Sequence, residues 1–148
     1  MSNFIKRVYH SYWFPRMFYR KHDGGSQSGV RGYFLIEWKP LFSIGLLNFS
    51  EGSREAYHNH AFPAITFWIK GSVIEKKLNG SYSLFKGFPS RPKYTPRSNC
   101  HKVIGLENSW AFTIRGVWNK TWFEIRDEKK ITLKHGREFV RQEDYIHE

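Results

Sequence analysis

Gly52-Ser53-Arg54-Glu55-Ala56-Tyr57-His58-Asn59-His60, with Pro96-Arg97-Ser98-Asn99-Cys100-His101 further along, is the densest chemical pattern in this 148-residue chain. Side chains two apart on a β-strand project from one face, so the imidazoles of His58 and His60 converge on one point. Such a pair is a two-ligand unit for a divalent metal, and a third ligand has to come from elsewhere. Of the seven histidines, His10, His22, His135 and His147 fall in a helical segment, a loop and the tail. His101 differs, standing between a Pro-containing turn and a β-type run.

Short β-type segments surround this pattern at 33–39, 41–49, 64–70, 72–78, 82–85, 102–106, 110–115 and 121–126. Asn79-Gly80, between two of them, is a strong hairpin signal, and Asn119-Lys120 reads as a second tight turn. Pro89, Pro92 and Pro96 exclude a central strand from 87–96. Eight short strands without intervening helices predict an all-β sandwich or barrel and not a βαβ fold. The strand region, 30–126, is the body of a single domain covering 1–148.

Phe4, Ile5, Val8, Tyr9, Tyr12 and Trp13 recur at helical spacing, and Pro15 disfavours continuation past Phe14. Residues 3–14 therefore predict one amphipathic helix, capped by Ser2 or Asn3, whose aromatic face packs on the body. It belongs to a basic, aromatic arm over 1–20. Residues 22–29 read as a loop, and 127–148 as a charged tail in which Phe139, Val140, Tyr145 and Ile146 fold back onto the body.

Composition limits the function. Lys and Arg number 24 against 13 Asp and Glu, a formal charge of +11, which favours an anionic partner: nucleic acid, an acidic protein or a phosphorylated metabolite. Aromatic residues make up 18%, too many for a disordered chain. No apolar run approaches the roughly 18 residues needed to cross a bilayer. Met1 to Arg20 has no apolar core of the secretory kind. The lone Cys100 excludes an internal disulfide and a multi-cysteine zinc site, and fits a reducing, cytoplasmic setting. As the neighbour of His101 on a strand it should face away from that histidine as a buried apolar filler. Trp68, Trp110, Trp118 and Trp122 read as core or pocket lining. Their interleaving with Lys and Arg over 110–126 also suits a base-stacking platform.

The spacing Gly52-x5-His58-x-His60, closed by Gly71, and Pro96-x-Ser98-x2-His101 resembles the two motifs of the cupin superfamily, G-x5-H-x-H-x(3,4)-E-x6-G and G-x5-P-x-G-x2-H-x3-N. The resemblance covers 52–105 and extends more loosely through 110–116 and Trp122-Phe123, in the manner of small single-domain cupins of bacteria and their phages. It implies a double-stranded β-helix (jelly-roll) barrel with the N-terminal helix outside it. It also implies His58, His60 and His101 as metal ligands at the barrel mouth, and pairing into a homodimer through edge strands. The chain departs from the motifs at three places. Ala64 stands where the glutamate belongs, with no carboxylate anywhere in 61–72; Gly105 replaces the asparagine and Ser98 a glycine. Glu75 lies too far on to be the motif glutamate but within reach of the pocket from the next strand.

A site without that carboxylate resembles the three-histidine cupins, among them thiol dioxygenases and other dioxygenases that hold Fe(II). Three neutral imidazoles leave the ion's charge uncancelled and its other positions open, which favours a small anionic substrate. The same ligand set suits Zn(II), which activates water. Tyr57, Tyr94, Arg97 and Arg115 are the candidate pocket groups, an arginine being able to grip a carboxylate or phosphate bidentately. No general base is assigned. Two other readings stand beside the Fe(II) dioxygenase. One is a non-catalytic module binding a nucleotide, nucleic acid or partner protein. The other is a metal-free sugar-nucleotide isomerase-like cupin using His60 with Tyr57 or Tyr94 as an acid–base pair.

Overall fold

A computed structural model describes residues 2–25, 27–53 and 56–145. One helix, α1 (Asn3–Tyr9), precedes thirteen strands: β1 (Arg16–Asp23), β2 (Val30–Trp38), β3 (Phe42–Phe49), β4 (Tyr57–His58), β5 (Ala64–Lys70), β6 (Ser72–Lys77), β7 (Tyr82–Lys86), β8 (Lys93–Thr95), β9 (His101–Gly105), β10 (Ser109–Arg115), β11 (Thr121–Arg126), β12 (Lys129–Lys134) and β13 (Glu138–Asp144). They form two antiparallel sheets, in the orders β1-β2-β3-β10-β5-β8 and β13-β12-β11-β4-β9-β6-β7. Burial alternates along β2, β3, β9 and β10, because successive side chains point to opposite faces of a pleated strand. The inward set, Val30, Phe34, Leu47, Phe49, Trp68, Val73, Val103 and Ala111, is one continuous core. The strand pattern predicts a sandwich or barrel, and the structure is the jelly-roll barrel that the resemblance implies.

The eight sequence-predicted segments are all strands, and two have the predicted bounds, β5 and β11. Asn79-Gly80 sits in the β6–β7 hairpin, where Lys77 N–H donates to Ser81 O at 2.8 Å and Gly80 N–H to Lys77 O at 3.0 Å. The proline-rich stretch yields only β8, at the edge of its sheet, where a missing ladder donor costs least. Asn119-Lys120 makes no hairpin. It ends a crossover between the two sheets, pinned by Trp118 N–H to Lys39 O at 3.0 Å and Asn119 N–H to Ala61 O at 2.6 Å.

The two ends differ from expectation. The Ser2 hydroxyl does cap the helix by accepting from Ile5 N–H, but α1 stops at Tyr9 rather than Phe14, and Ser11 to Phe14 form turns. The expected docking of its aromatic face does not occur: Phe4, Ile5 and Val8 are exposed. The following segment is β1, which the sequence hides because its polarity is reversed. Its inward residues are Arg16, Tyr19, Lys21 and Asp23, while Met17 and Phe18 face outward. His22 and Asp23, given to a loop by composition, close this strand. The C-terminal stretch is likewise no tail. β12 and β13 extend the second sheet, with Phe139 and Val140 still exposed. Tyr145 is tied down by its backbone N–H to Glu128 O at 2.8 Å, and Ile146 lies outside the described residues.

Gly71 carries the chain from β5 in one sheet to β6 in the other with φ +82°, and a Cβ there would lie 2.3 Å from Ser109 Oγ and 2.7 Å from Ser109 Cα. Gly52 has a similar φ of +73° but open space around it. Gly52→Ala should therefore cost only backbone strain, about 1 kcal/mol. Gly71→Ala adds a backbone clash and should cost about 3 kcal/mol or more. Urea unfolding of the two variants side by side measures the difference.

Candidate functional site

The two residues of β4 are wedged between β11 and β9, with His58 opposite Glu124 on one side and opposite His101 on the other. That cross-strand register brings His101 to the His-x-His unit. Asn59 fastens the segment as it leaves the sheet: its N–H donates to Phe123 O at 3.1 Å and its Oδ1 accepts from Phe123 N–H at 2.7 Å. His60 N–H then bonds Arg97 O at 3.3 Å. The ring centroids of His58, His60 and His101 stand 4.8 to 5.3 Å apart, and one nitrogen from each falls within 4.8 Å of the others. Nε2 of His60 and Nε2 of His101 are 2.6 Å apart.

The hydrogen bonds select tautomers. His58 Nδ1 lies 2.8 Å from the Ala56 carbonyl, which can only accept, so Nδ1 carries the proton and Nε2 keeps its lone pair. His101 Nδ1 donates to Glu75 Oε1 in the same way, which turns its Nε2 lone pair toward His60. Glu75 is 2% exposed and also receives Lys93 Nζ and, at 3.1 Å, Asn99 Nδ2. Burial raises its pKa, but the hydrogen bonds from His101 and Lys93 outweigh burial and bring it down to about 2. Burial pushes His101 down, Glu75 pulls it back, and the balance is about 4. Burial, then the neighbouring His58 and His101, hold His60 well below the usual imidazole range. Both rings are therefore neutral at pH 7, the state in which an imidazole binds a metal.

His58 and His60 face a cavity of about 330 Å³ at the barrel mouth, and His101 lines only the chamber behind it. Behind it, a chamber of about 60 Å³ inside the barrel is lined by Thr66, Trp68, Thr113 and Val103. His60, Phe62, Asp23 and Arg115 line both, so the histidines stand in the partition. Ala64, where the cupin motif has glutamate, contributes a methyl group to the inner chamber.

Four pocket groups were expected from sequence, and one is there. Arg115 lines the cavity, but its guanidinium grips Asp23 with Nη2–Oδ2 2.6 Å and Nη1–Oδ1 3.3 Å, between the rings of Phe34 and Phe62. Burial raises the Asp23 pKa, yet Arg115 and Lys21 bring it down to about 2, so Arg115 already holds a carboxylate of the chain itself. Tyr57 lies under the Lys102 ammonium and Tyr94 is 64% exposed; neither lines either cavity. Arg97 donates to the Val117 carbonyl instead. Cys100 is only half-buried, just ahead of β9, and burial pushes its thiol up. Among the tryptophans, Trp68 is core, Trp118 and Trp122 line the cavity edge to face, and Trp110 rests on Tyr33. They lie in different sheets and loops and make no common platform.

The sequence reading missed the cationic wall. Arg16 and Lys21 of β1 and Lys39 after β2 face the cavity, and all three pair with Glu37, which is 1% exposed behind them. Burial and the Lys21 charge push Lys39 down to about 7 against the pull of Glu37. Its ammonium donates to His135 Nδ1 at 2.6 Å, and His135 Nε2 donates to the His10 carbonyl at 2.9 Å. The signal was present in the basic alternation of 16–21, set aside as an arm.

No family model matches the sequence, and no curated protein does. Solved structures match its fold. A sugar phosphate isomerase of the cupin superfamily from Silicibacter pomeroyi aligns with a TM-score of 0.59 at 13% identity, over 87% of this chain and 88% of that one. A polyketide cyclase from Streptomyces resistomycificus gives 0.59 at 12% identity, over 72% and 76%. An RmlC-like cupin from Shewanella frigidimarina gives 0.52 at 13%, over 64% and 80%. No helix among the described residues is long and apolar enough to cross a membrane. Identities this low speak to architecture alone, and on architecture the matches agree: this chain has the cupin fold.

Proposed function

We propose that the chain is a mononuclear metal enzyme in which Nε2 of His58, His60 and His101 hold a divalent ion, Fe(II) before Zn(II), and a small anionic substrate enters the mouth cavity. The observation that carries this reading is the convergence of three imidazole nitrogens within 4.8 Å of one another. His58 and His101 have their Nδ1 protons committed outward, and Nε2 of His101 faces Nε2 of His60 at 2.6 Å. In the ion-free site a neutral His60 carries its proton on Nε2 and donates it to His101; with that proton on Nδ1 instead, and no change of charge, His60 Nε2 becomes the third donor to an ion. A divalent ion satisfies all three nitrogens.

When bound, Fe(II) supplies dioxygen chemistry of the dioxygenase kind, whereas Zn(II) supplies an activated water. The chain's own residues do the rest. Glu75 orients His101 and raises its donor strength, as carboxylates behind metal-bound histidines do. Phe62, Trp118 and Trp122 form an apolar side of the cavity that limits water. The metal-free acid–base alternative has less support, because neither Tyr57 nor Tyr94 reaches the cavity that holds His60. A nucleic-acid module would show a steep loss of affinity with salt.

Elemental analysis after reconstitution with Fe(II) or Zn(II) tests the reading. The expected result is about one ion per chain, lost in His60→Ala and His101→Ala. Glu75→Gln should keep the ion but weaken it about 10- to 100-fold. Protein that takes up neither ion overturns the proposal.

Acid stability gives a second check on metal-free protein. An unfolded histidine titrates near 6.5 while folded His101 titrates near 4, so between these values the unfolded chain binds more protons and stability rises with pH. That stability is complete above pH 6.5 and falls as pH drops toward 4. From pH 7.5 to pH 5 the His101 share of the loss should be about 2 kcal/mol, with His60 adding to it. Urea unfolding at the two pH values should show the drop, and His101→Gln should shrink it by that share.

A further inference from the structure

The cation count around the mouth cavity does not balance. Among the described residues, Arg16, Lys21, Lys39, Arg115 and Arg137 line it, against the carboxylates of Asp23 and Glu124. Asp23 is taken up by Arg115, and Glu124 by Arg126 at 3.1 Å and Arg137 at 2.7 Å. Arg16, Lys21 and Lys39 then share one carboxylate, Glu37, at 3.3, 2.9 and 3.7 Å. Arg16 is 6% exposed and Lys39 5%. Three cations around one buried carboxylate leave an excess of between one and two charges, since Lys39, pushed down to about 7, is only partly charged at neutral pH; where water screens poorly such an excess is costly unless something neutralises it.

The donors at this end also lack acceptors. Arg16 Nε and the indole Nε1 of Trp118 are buried with no hydrogen-bond partner among the described residues. Both ammonium groups lie against that same indole, Lys39 Nζ 4.3 Å and Lys21 Nζ 5.4 Å from its ring centroid. Glu37 does not line the cavity, so the face presented to a ligand is made of donors and cations. A phosphate monoester carries about −1.5 to −2 at neutral pH and three acceptor oxygens. Its charge matches the excess, and its oxygens match the unused donors.

We propose that Lys21, Lys39, Arg16 and Trp118 form a phosphate subsite, so that the cavity's ligand is a small phosphorylated molecule whose phosphate sits there while its other end reaches the histidine cluster. A cavity of about 330 Å³ suits a metabolite and not a polymer. The proposal takes the mouth cavity of the preceding section as the ligand site but needs no metal, and the two can fail separately.

The probe is inorganic phosphate against chloride at matched ionic strength, on the metal-free full chain, read by the shift of the thermal unfolding midpoint. Phosphate should protect saturably where chloride does not. Lys39→Met and Lys21→Met should each weaken phosphate at least tenfold, and Lys134→Met, on an exposed strand end, should leave it unchanged. His60→Ala should lose the metal and keep the phosphate response. Should the lysine variants fail to fold, the unaltered chain still decides. Of its six indole N–H resonances, the one missing in Trp118→Phe should move on phosphate titration and stay still with chloride. Protection by phosphate no greater than by chloride, equal protection in both lysine variants, or an unmoved Trp118 resonance would each overturn the subsite.

Discussion

Glu75 is the group on which the site's geometry depends. It belongs to β6, receives His101 of β9 in its own sheet and Lys93 of β8 from the facing sheet, and takes Asn99 from the turn between them. A carboxylate buried to 2% exposure survives only because these partners supply charge and donors. The arrangement works in both directions. The partners hold Glu75 ionised, and Glu75 holds one proton on His101 Nδ1, which fixes where the other nitrogen's lone pair points. His58 and His101 thus stand on strands of the barrel wall and His60 on the segment fastened just after β4, and replacing Glu75 by an apolar residue would leave Lys93 and His101 without a common acceptor.

A second buried carboxylate, behind the wall of the mouth cavity, is used differently. Glu37 faces three cations and cannot neutralise them, whereas Glu75 is in near balance with Lys93 and a neutral His101. One carboxylate makes a fixed structural joint; the other sits behind a surface that remains cationic. The burial of Lys39, with Lys21 beside it, shows in its ammonium being pushed down to about 7. Burial first and Lys21 second hold the lysine that low, and an anion from outside would restore its full charge.

Most of the barrel was legible because its strands follow the rule of apolar inside and polar outside. Where the interior is itself polar, the same rule misleads. β1 presents Arg16, Tyr19, Lys21 and Asp23 inward and Met17 and Phe18 outward, so alternation read with the usual polarity shows a basic arm. β13 buries none of its residues and β12 shows no alternation, and they are held by backbone pairing that side-chain patterning cannot report. The His-x-His spacing pointed to the right residues although only His58 of the pair lies on a strand, His60 following beyond the end of β4. Tyr57 and Tyr94 were candidates through proximity in sequence, which says nothing about the face. Asn59, in plain view between the histidines, fastens the segment to Phe123 through contacts that only the fold creates.

Position 64 and position 75 together explain why the site should want a negatively charged ligand. The cupin motif puts a carboxylate among the metal donors; here Ala64 occupies that place, and the carboxylate stands behind His101 instead. A glutamate among the donors would cancel one charge of a divalent ion directly. Acting through the imidazole ring, Glu75 would polarise the donor while standing outside the shell of an ion held by the three histidines. The cluster is then three imidazole rings with no carboxylate among them, and the wall of the cavity that His58 and His60 line also carries Arg16, Lys21 and Lys39. Both ends of one cavity lack negative charge, and a single anionic molecule spanning them would supply it to both. Specificity in such a site comes less from any one contact than from the spacing of two electropositive ends.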